Sequence, residues 1–213
     1  MKKVLVYVEG PSDKAALNVL LNPLIEEKSR NGTAIYFFET PAGDRKESLL
    51  SKVPLKAANI LVNDPSAVVV VLPDLFPYNK CFRHENVNEL MQGVQDRFLH
   101  ALVSRAGENS SIYQDRFKVF CFKHDMEVLL LASTDALKKY LGATRLPDWK
   151  TPFEEINNAK PPKTIITDLF IKHGKRYKDT VDAPLVLQSV SYQELTEKCF
   201  QCFKPFIDFL HTL

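Results

Sequence analysis

Two kinds of apolar pattern alternate along the first two thirds of the chain. "KVLVYVE", with its apolar run Val4 to Val8, is β-branched and aromatic and continuous rather than alternating, which predicts a buried strand. "SDKAALNVLLNPLIEEKSR" follows, with Ala16, Leu17, Leu20, Leu21 and Leu24 at helical spacing and Ser12 placed as an N-cap. The same alternation repeats. "TAIYFFE", "SAVVVVLPD" and "RFKVFCF" predict further strands, and "GDRKESLLSKVPLKAANILVN", "NVNELMQGVQDRFLHALVSRA" and "HDMEVLLLASTDALKKYL" predict helices, with Pro54 breaking or kinking the first of them. Strand–helix alternation of this length predicts an α/β fold: a mainly parallel, Rossmann-like sheet of about four strands with helices on both faces.

The pattern changes near residue 145, where Pro147, Pro152, Pro161 and Pro162 punctuate short segments. "PPKTIITDLFIKHG" predicts a helix and "KRYKDTVDAP" a basic loop. The tail from Ser191 is helical, with Phe200, Phe203, Phe206 and Phe209 as a stripe. The expected organisation is an α/β domain over 1–145, with a helical extension over 146–213 packed on it and not independent.

Composition narrows the class. The 213 residues are 45% hydrophobic with a net charge of +2, enough for a real core and too mild a charge to imply a nucleic-acid partner alone. The apolar start is too short for a signal sequence, and no run approaches the roughly 18 apolar residues of a membrane helix. Cys81, Cys121, Cys199 and Cys202 show no secreted disulfide pattern, so a cytoplasmic protein with reduced thiols is expected. Cys199 and Cys202 form a CxxC with no second ligand pair, so no zinc site is expected.

Candidate chemistry gathers at strand ends, where parallel sheets place their sites. The first strand ends at Glu9, the third at Asp74, and the fourth is followed by His124, Asp125 and Glu127. Grouped carboxylates suit a hard divalent cation, and without one they repel one another. Gly10 permits a tight turn and close approach of a ligand. Asp13, in a first helical turn, also serves the helix dipole. Glu127 is a candidate ligand, with Asp125 as its substitute. His124, three residues before Glu127, could orient it, bind metal or contact phosphate. In "KRYKDT", Lys175, Arg176 and Lys178 surround Tyr177 and form either a solvated face or a phosphate-contacting loop.

"VLVYVEGPSDKAAL", with its Glu-Gly-x-x-Asp, resembles the opening motif of the Toprim superfamily, in the form found in nucleases of the overcoming-lysogenization-defect type. "PDLFPY", "HDMEVLLLAS" and "PPKTIITDLFIKHGKRYKDTVDAP" resemble, in order, the later motifs of a bacterial Toprim-like domain family of unknown function, over about residues 2–210. The chain departs from the pattern where Asp74-Leu75-Phe76 replaces Asp-x-Asp and where Ser133 replaces a closing acid. The resemblance implies a nuclease dependent on Mg²⁺ or Mn²⁺. Metal would be held by Glu9, Asp13, Asp74 and Glu127, with Glu9 and Lys178 catalytic and with Gly10, His124, Lys175 and Arg176 at the substrate. It further implies nucleic acid as partner, DNA ahead of RNA, an ATPase of AAA or ABC type encoded nearby, and a role in phage defence. The alternative is a catalytically weak regulatory module of an ABC- or SMC-type ATPase. No P-loop is present, so the chain is not expected to be the ATPase itself.

Overall fold

The computed structural model describes residues 1–150, 152–155 and 160–213. In chain order the elements are β1 (Lys2–Val8), α1 (Pro11–Leu20), α2 (Asn22–Arg30), β2 (Thr33–Glu39), a short turn α3 (Arg45–Glu47), a π-helical run Ser48–Lys52, α4 (Val53–Asn63), β3 (Ala67–Leu72), α5 (Val87–Ala106), a 3₁₀ turn Gly107–Ser110, α6 (Ser111–Gln114) and β4 (Phe117–Val119). The remainder is helical: α7 (Glu127–Ala132), α8 (Thr134–Leu141), a 3₁₀ turn Phe153–Glu155, α9 (Pro162–Lys172), α10 (Asp179–Leu187), α11 (Tyr192–Lys198) and α12 (Phe203–His211). The four strands form one all-parallel sheet in the order β2-β1-β3-β4, with helices around it. This is the expected Rossmann-like α/β class with a helical C-terminal part.

Local chemistry moves several boundaries. Pro11 opens α1, one residue before the expected Ser12 cap, because a proline at a first helical position gives up only an N–H that has no partner there. The predicted first helix is two, α1 and α2, parted at Leu21, two residues before Pro23. Ser133 parts α7 from α8; its hydroxyl turns back to the Leu129 carbonyl, 2.7 Å away, in competition with the helical ladder. The expected basic loop is only half loop, since Asp179 onwards is α10, with Pro184 inside it. β4 is three residues long, shorter than "RFKVFCF".

The chain divides into two compact units, one of Met1–Gly10 with Pro23–Cys121 and one of Pro11–Asn22 with Phe122–Leu213. The first holds the sheet. Its core gathers Tyr7, Leu50, Ala57, Val69, Phe98 and Phe117, and the Phe98 and Phe117 rings stack at 4.0 Å. Arg116 closes it by donating to the carbonyls of Leu61, Asp64 and Ala67 at 2.7–3.0 Å. In the second unit α1 packs on α10, and α7 on α9 and α10. Phe203 and Phe206 of the aromatic stripe are fully buried, whereas Phe200 is exposed. The Glu154 carboxylate, itself buried, accepts from the main-chain N–H groups of Gln201, Cys202 and Phe203 at 2.8–3.1 Å and so caps the start of α12. Burial pushes both CxxC thiols up, Cys202 to about 11. No helix among the described residues is long and apolar enough to cross a membrane.

Candidate functional site

In the sheet unit the register aligns Val8 with both Leu72 and Glu39, so β1 and β3 deliver Glu9 and Asp74 to the same carboxyl edge. The two residues meet there. The Asp74 N–H donates to Glu9 Oε1 at 3.2 Å, and the Lys46 ammonium stands 3.7 Å from the same oxygen. Lys46 also donates to the Leu75 carbonyl at 3.2 Å, which fixes a long side chain that is only 8% exposed. The Thr40 hydroxyl, also buried, donates to the Glu9 carbonyl at 2.7 Å. Glu9 is therefore held at both its main chain and its carboxylate. The Lys46 ammonium offsets part of the negative charge at this edge. Gly10 follows as the last residue of the sheet unit before Pro11. Lys46 carried no signal in the sequence, where it stands in the polar run "DRKE".

In the helical unit, Glu127 at the start of α7 is almost fully buried. Its Oε1 accepts from the Tyr177 hydroxyl at 3.0 Å and lies 3.8 Å from the Lys163 ammonium, which also pairs with Asp179 at 2.7 Å. Burial, and secondarily the Asp125 charge, push the Glu127 carboxyl up to about 7, with Lys163 and Tyr177 pulling the other way. Burial also raises Asp125, against a hydrogen bond from the Lys163 main chain; among the described residues its buried Oδ1 has no hydrogen-bond partner. Burial lowers Lys163, but Asp179, Glu127 and Asp125 together hold it above the ordinary range. Burial and the neighbouring Glu127 charge hold the half-buried Tyr177 hydroxyl far above its ordinary value.

The loop "KRYK" thus reaches Glu127 through its aromatic residue, and the cation beside Glu127 comes from α9. Lys175 turns to the Tyr140 carbonyl and ring, and Arg176 and Lys178 are exposed. The Lys178 main chain is held by Asp182, which also accepts from the Tyr140 hydroxyl at 2.6 Å. His124 is buried ahead of α7, and Asp13 is half-buried in the first turn of α1. Lys163 was legible in principle, since Pro161-Pro162 fixes the start of α9 and places the next residue in its first turn.

Among the described residues no three His, Cys, Asp or Glu side chains are grouped to hold a metal ion. Glu9 and Asp74 supply two carboxylates. That is the number by which Mg²⁺ is commonly held when phosphate oxygens and water complete its shell.

The C-terminal region of the Xanthomonas campestris pv. campestris OLD protein, in structures phased with iodine and with mercury, is similar to this chain. The iodine-phased structure gives 12% identity and a TM-score of 0.43 over 100% of this chain and 99% of that one. The mercury-phased structure gives 13% and 0.42 over 99% and 98%. So distant a likeness carries no weight beside the sheet topology itself. No curated protein matches the chain. The family description "Domain of unknown function (DUF4276)" matches residues 8–211, nearly the whole chain, which therefore belongs to the DUF4276 family.

Proposed function

We propose that the chain is a Mg²⁺- or Mn²⁺-dependent nuclease of Toprim type, hydrolysing nucleic-acid phosphodiesters at the Glu9–Asp74 edge. The observation that carries this reading is the meeting of the Glu9 carboxylate with the Asp74 main chain where two central parallel strands end. Strand ends of a parallel sheet are where such folds bind ligands. The residues present fit Mg²⁺ held jointly with substrate phosphate by Glu9 and Asp74, and less well a closed site made by protein alone, because Lys46 already faces Glu9. When bound, the ion would withdraw charge from the phosphoryl oxygens.

The protein's own residues do the rest. Lys46 and the Asp74 N–H fix the Glu9 rotamer, so that its carboxylate would hold the ion without rearranging. In the hydrolysis, water adds to phosphorus, the ester P–O bond breaks, and the leaving oxygen takes a proton. Arg176 and Lys178 are exposed cations suited to phosphate contacts. Glu127, Asp13 and His124 remain further candidates for ligand and substrate roles. A cytoplasmic setting in phage defence beside an ATPase of AAA or ABC type is part of the same reading.

The test is cleavage of single- and double-stranded DNA and RNA by the purified chain in Mg²⁺, Mn²⁺ or EDTA, with Glu9→Gln alongside. Cleavage that needs a divalent ion and disappears in Glu9→Gln is expected. Equal cleavage by both proteins would point to a contaminant. A folded wild type inactive with every substrate and ion would leave the chain as a regulatory module of an ATPase.

A further inference from the structure

The segment between Asp74 and α5 is the longest connection without helix or strand in the sheet unit, and it carries four aromatic rings in successive contact. Phe76 lies 4.7 Å from Tyr78, Tyr78 lies edge-on to His84 at 5.6 Å, and Phe82 lies 5.1 Å from His84. The loop has a built seat on α5. A Cβ at Gly93 would lie 2.2 Å from the Phe82 ring, so the absence of a side chain there is what lets the ring rest on the helix. The Arg97 guanidinium sits 5.3 Å from the centre of the same ring and donates to the Cys81 carbonyl at 2.6 Å. Asn79 accepts from the Cys81 N–H at 2.8 Å. Asn86 caps α5 by accepting from the Glu89 N–H at 3.0 Å, and the Glu89 carboxylate accepts from the Glu85 N–H, just before the cap, at 2.7 Å.

Two side chains of this seat, Tyr78 and His84, bear on a ligand and on the loop's rigidity. Tyr78 is 52% exposed although its hydroxyl is tied to the Glu85 carbonyl at 3.1 Å, so a flat ring is fixed in place and half open to water. His84 is 5% exposed. Its Nδ1 faces the Phe82 carbonyl at 2.9 Å and so carries the hydrogen there, while its buried Nε2 has no hydrogen-bond partner. Lys80 and Arg83 are exposed on the same loop, Arg83 paired with Glu85 at 2.7 Å. An open cleft of about 640 Å³, lined by Phe82, Arg83, Gln92, Asp96 and Arg97 among others, lies beside Gly93.

We propose that this loop is a stacking platform for unpaired nucleobases, and that the substrate of the Glu9–Asp74 edge is therefore single-stranded nucleic acid. The inference rests on the nuclease reading of that edge: the loop that carries Tyr78 runs on directly from Asp74, so the ring and the acids belong to one continuous stretch of the sheet unit. Every base has a flat face to offer a fixed tyrosine, whereas paired bases in a duplex keep theirs occupied by neighbours. Phosphate attraction is not what holds the ligand here. The acids Glu85, Glu89 and Asp96 outnumber the arginines Arg83 and Arg97 in the cleft beside Gly93. Stacking should dominate, and the salt dependence should be shallow.

The experiment is fluorescence anisotropy in EDTA, with a labelled 12-nucleotide strand, its duplex, and the same strand carrying abasic sites. The proteins are the full-length wild type, Tyr78→Ala, Tyr78→Trp and Gly93→Ala. Expected are tighter binding of the single strand than of the duplex and a loss of about tenfold on Tyr78→Ala, the scale of one stacked base. Tyr78→Trp should retain binding, Gly93→Ala should lose it with unchanged circular dichroism, and the abasic strand should bind weakly. The log–log salt slope should be no steeper than about −2, the value for at most two or three phosphate contacts on a single strand. A preference for duplex, an unchanged Tyr78→Ala, or equal binding of the abasic strand would overturn the inference. Because divalent ions are absent, the two readings fail separately. A protein that binds as described but never cleaves would overturn the nuclease reading alone, and cleavage of duplex untouched by Tyr78→Ala would overturn this inference alone.

Discussion

Glu9 and Glu127 are both carboxylates at the end of an element, one per unit, and the protein treats them in opposite ways. Glu9 follows a central strand, keeps 20% of its side-chain surface exposed, and meets a buried lysine and a main-chain N–H. Both partners favour the charged form. Glu127 opens a helix with 4% exposure, and its lysine is half in water, shared with Asp179. Its phenol partner donates one neutral hydrogen bond, and Asp125 adds a like charge. Burial then outweighs attraction, and the carboxyl holds its proton to about pH 7. The exposure of the counterion differs in reverse order: the buried ammonium serves the more open acid, and the open ammonium serves the buried one. A lysine stabilises a carboxylate in proportion to how well both are shielded from water.

The largest effect expected is on chemistry. Glu9→Gln should reduce divalent-dependent cleavage by on the order of 100-fold or more, with Glu127→Gln milder if the two acids differ in role as they do in environment. Rates for both variants, in Mg²⁺ and Mn²⁺, would show whether the contrast extends to function. Equal losses would erase it.

Next comes Lys46→Met. Removing one partner of a buried pair leaves the other charge uncompensated, at a cost of about 3 kcal/mol, the low end of the usual range because Glu9 is partly hydrated. Urea unfolding at neutral pH measures it, and a cost below about 1 kcal/mol would mean that Lys46 does not serve as the counterion.

Glu127→Gln should be stabilising, and only at higher pH. The folded carboxyl, near 7, keeps its proton above the pH at which the unfolded one, near 4.5, loses it. Between these values folding takes up a proton, so stability falls as pH rises. Below about 4.5 both states are protonated and nothing is lost. In EDTA, Glu127→Gln should therefore exceed wild type at pH 8 by up to about 3 kcal/mol, at 1.36 kcal/mol per pH unit, and match it near pH 4. A flat difference across that range would overturn the protonation.

The smallest effect is on Lys163→Ala. Its half-exposed ammonium is worth under about 1 kcal/mol, yet its loss should move the Glu127 titration further upward, readable from the carboxyl ¹³C shift. A downward movement would mean that Lys163 is not what draws the Glu127 carboxyl down.

The sheet was legible because its signals are local. Ala67–Leu72 is apolar at every position and can only be a doubly covered strand. Glu9 and Asp74 were legible for the same reason, as acids placed directly after such runs. Lys46 was not. A lysine in "DRKE" looks like any solvated helix start, and its burial is decided by the Leu75 carbonyl, 29 residues on. Tyr177 stood in plain view among cations, and its hydroxyl proved to be what reaches Glu127, 50 residues away. The break at Ser133 was missed because a serine facing its own helix looks the same in sequence as one facing water.

The N-terminal helix α1 has a consequence for synthesis. It leaves the sheet unit at Gly10, belongs with α10 in the helical unit, and the chain returns to the sheet unit at Pro23. A ribosome therefore releases α1, with Ala16, Leu17 and Leu20 on its apolar face, roughly 160 residues before α10 exists to cover them. At common translation speeds that is a wait of roughly 8–32 s. During that wait the sheet strands can pair, but the helix threaded between the first two of them has no permanent seat. Any fragment cut at the unit boundary near residue 121 would carry the same uncovered helix for good. Neither unit can be released from the other by a single cut.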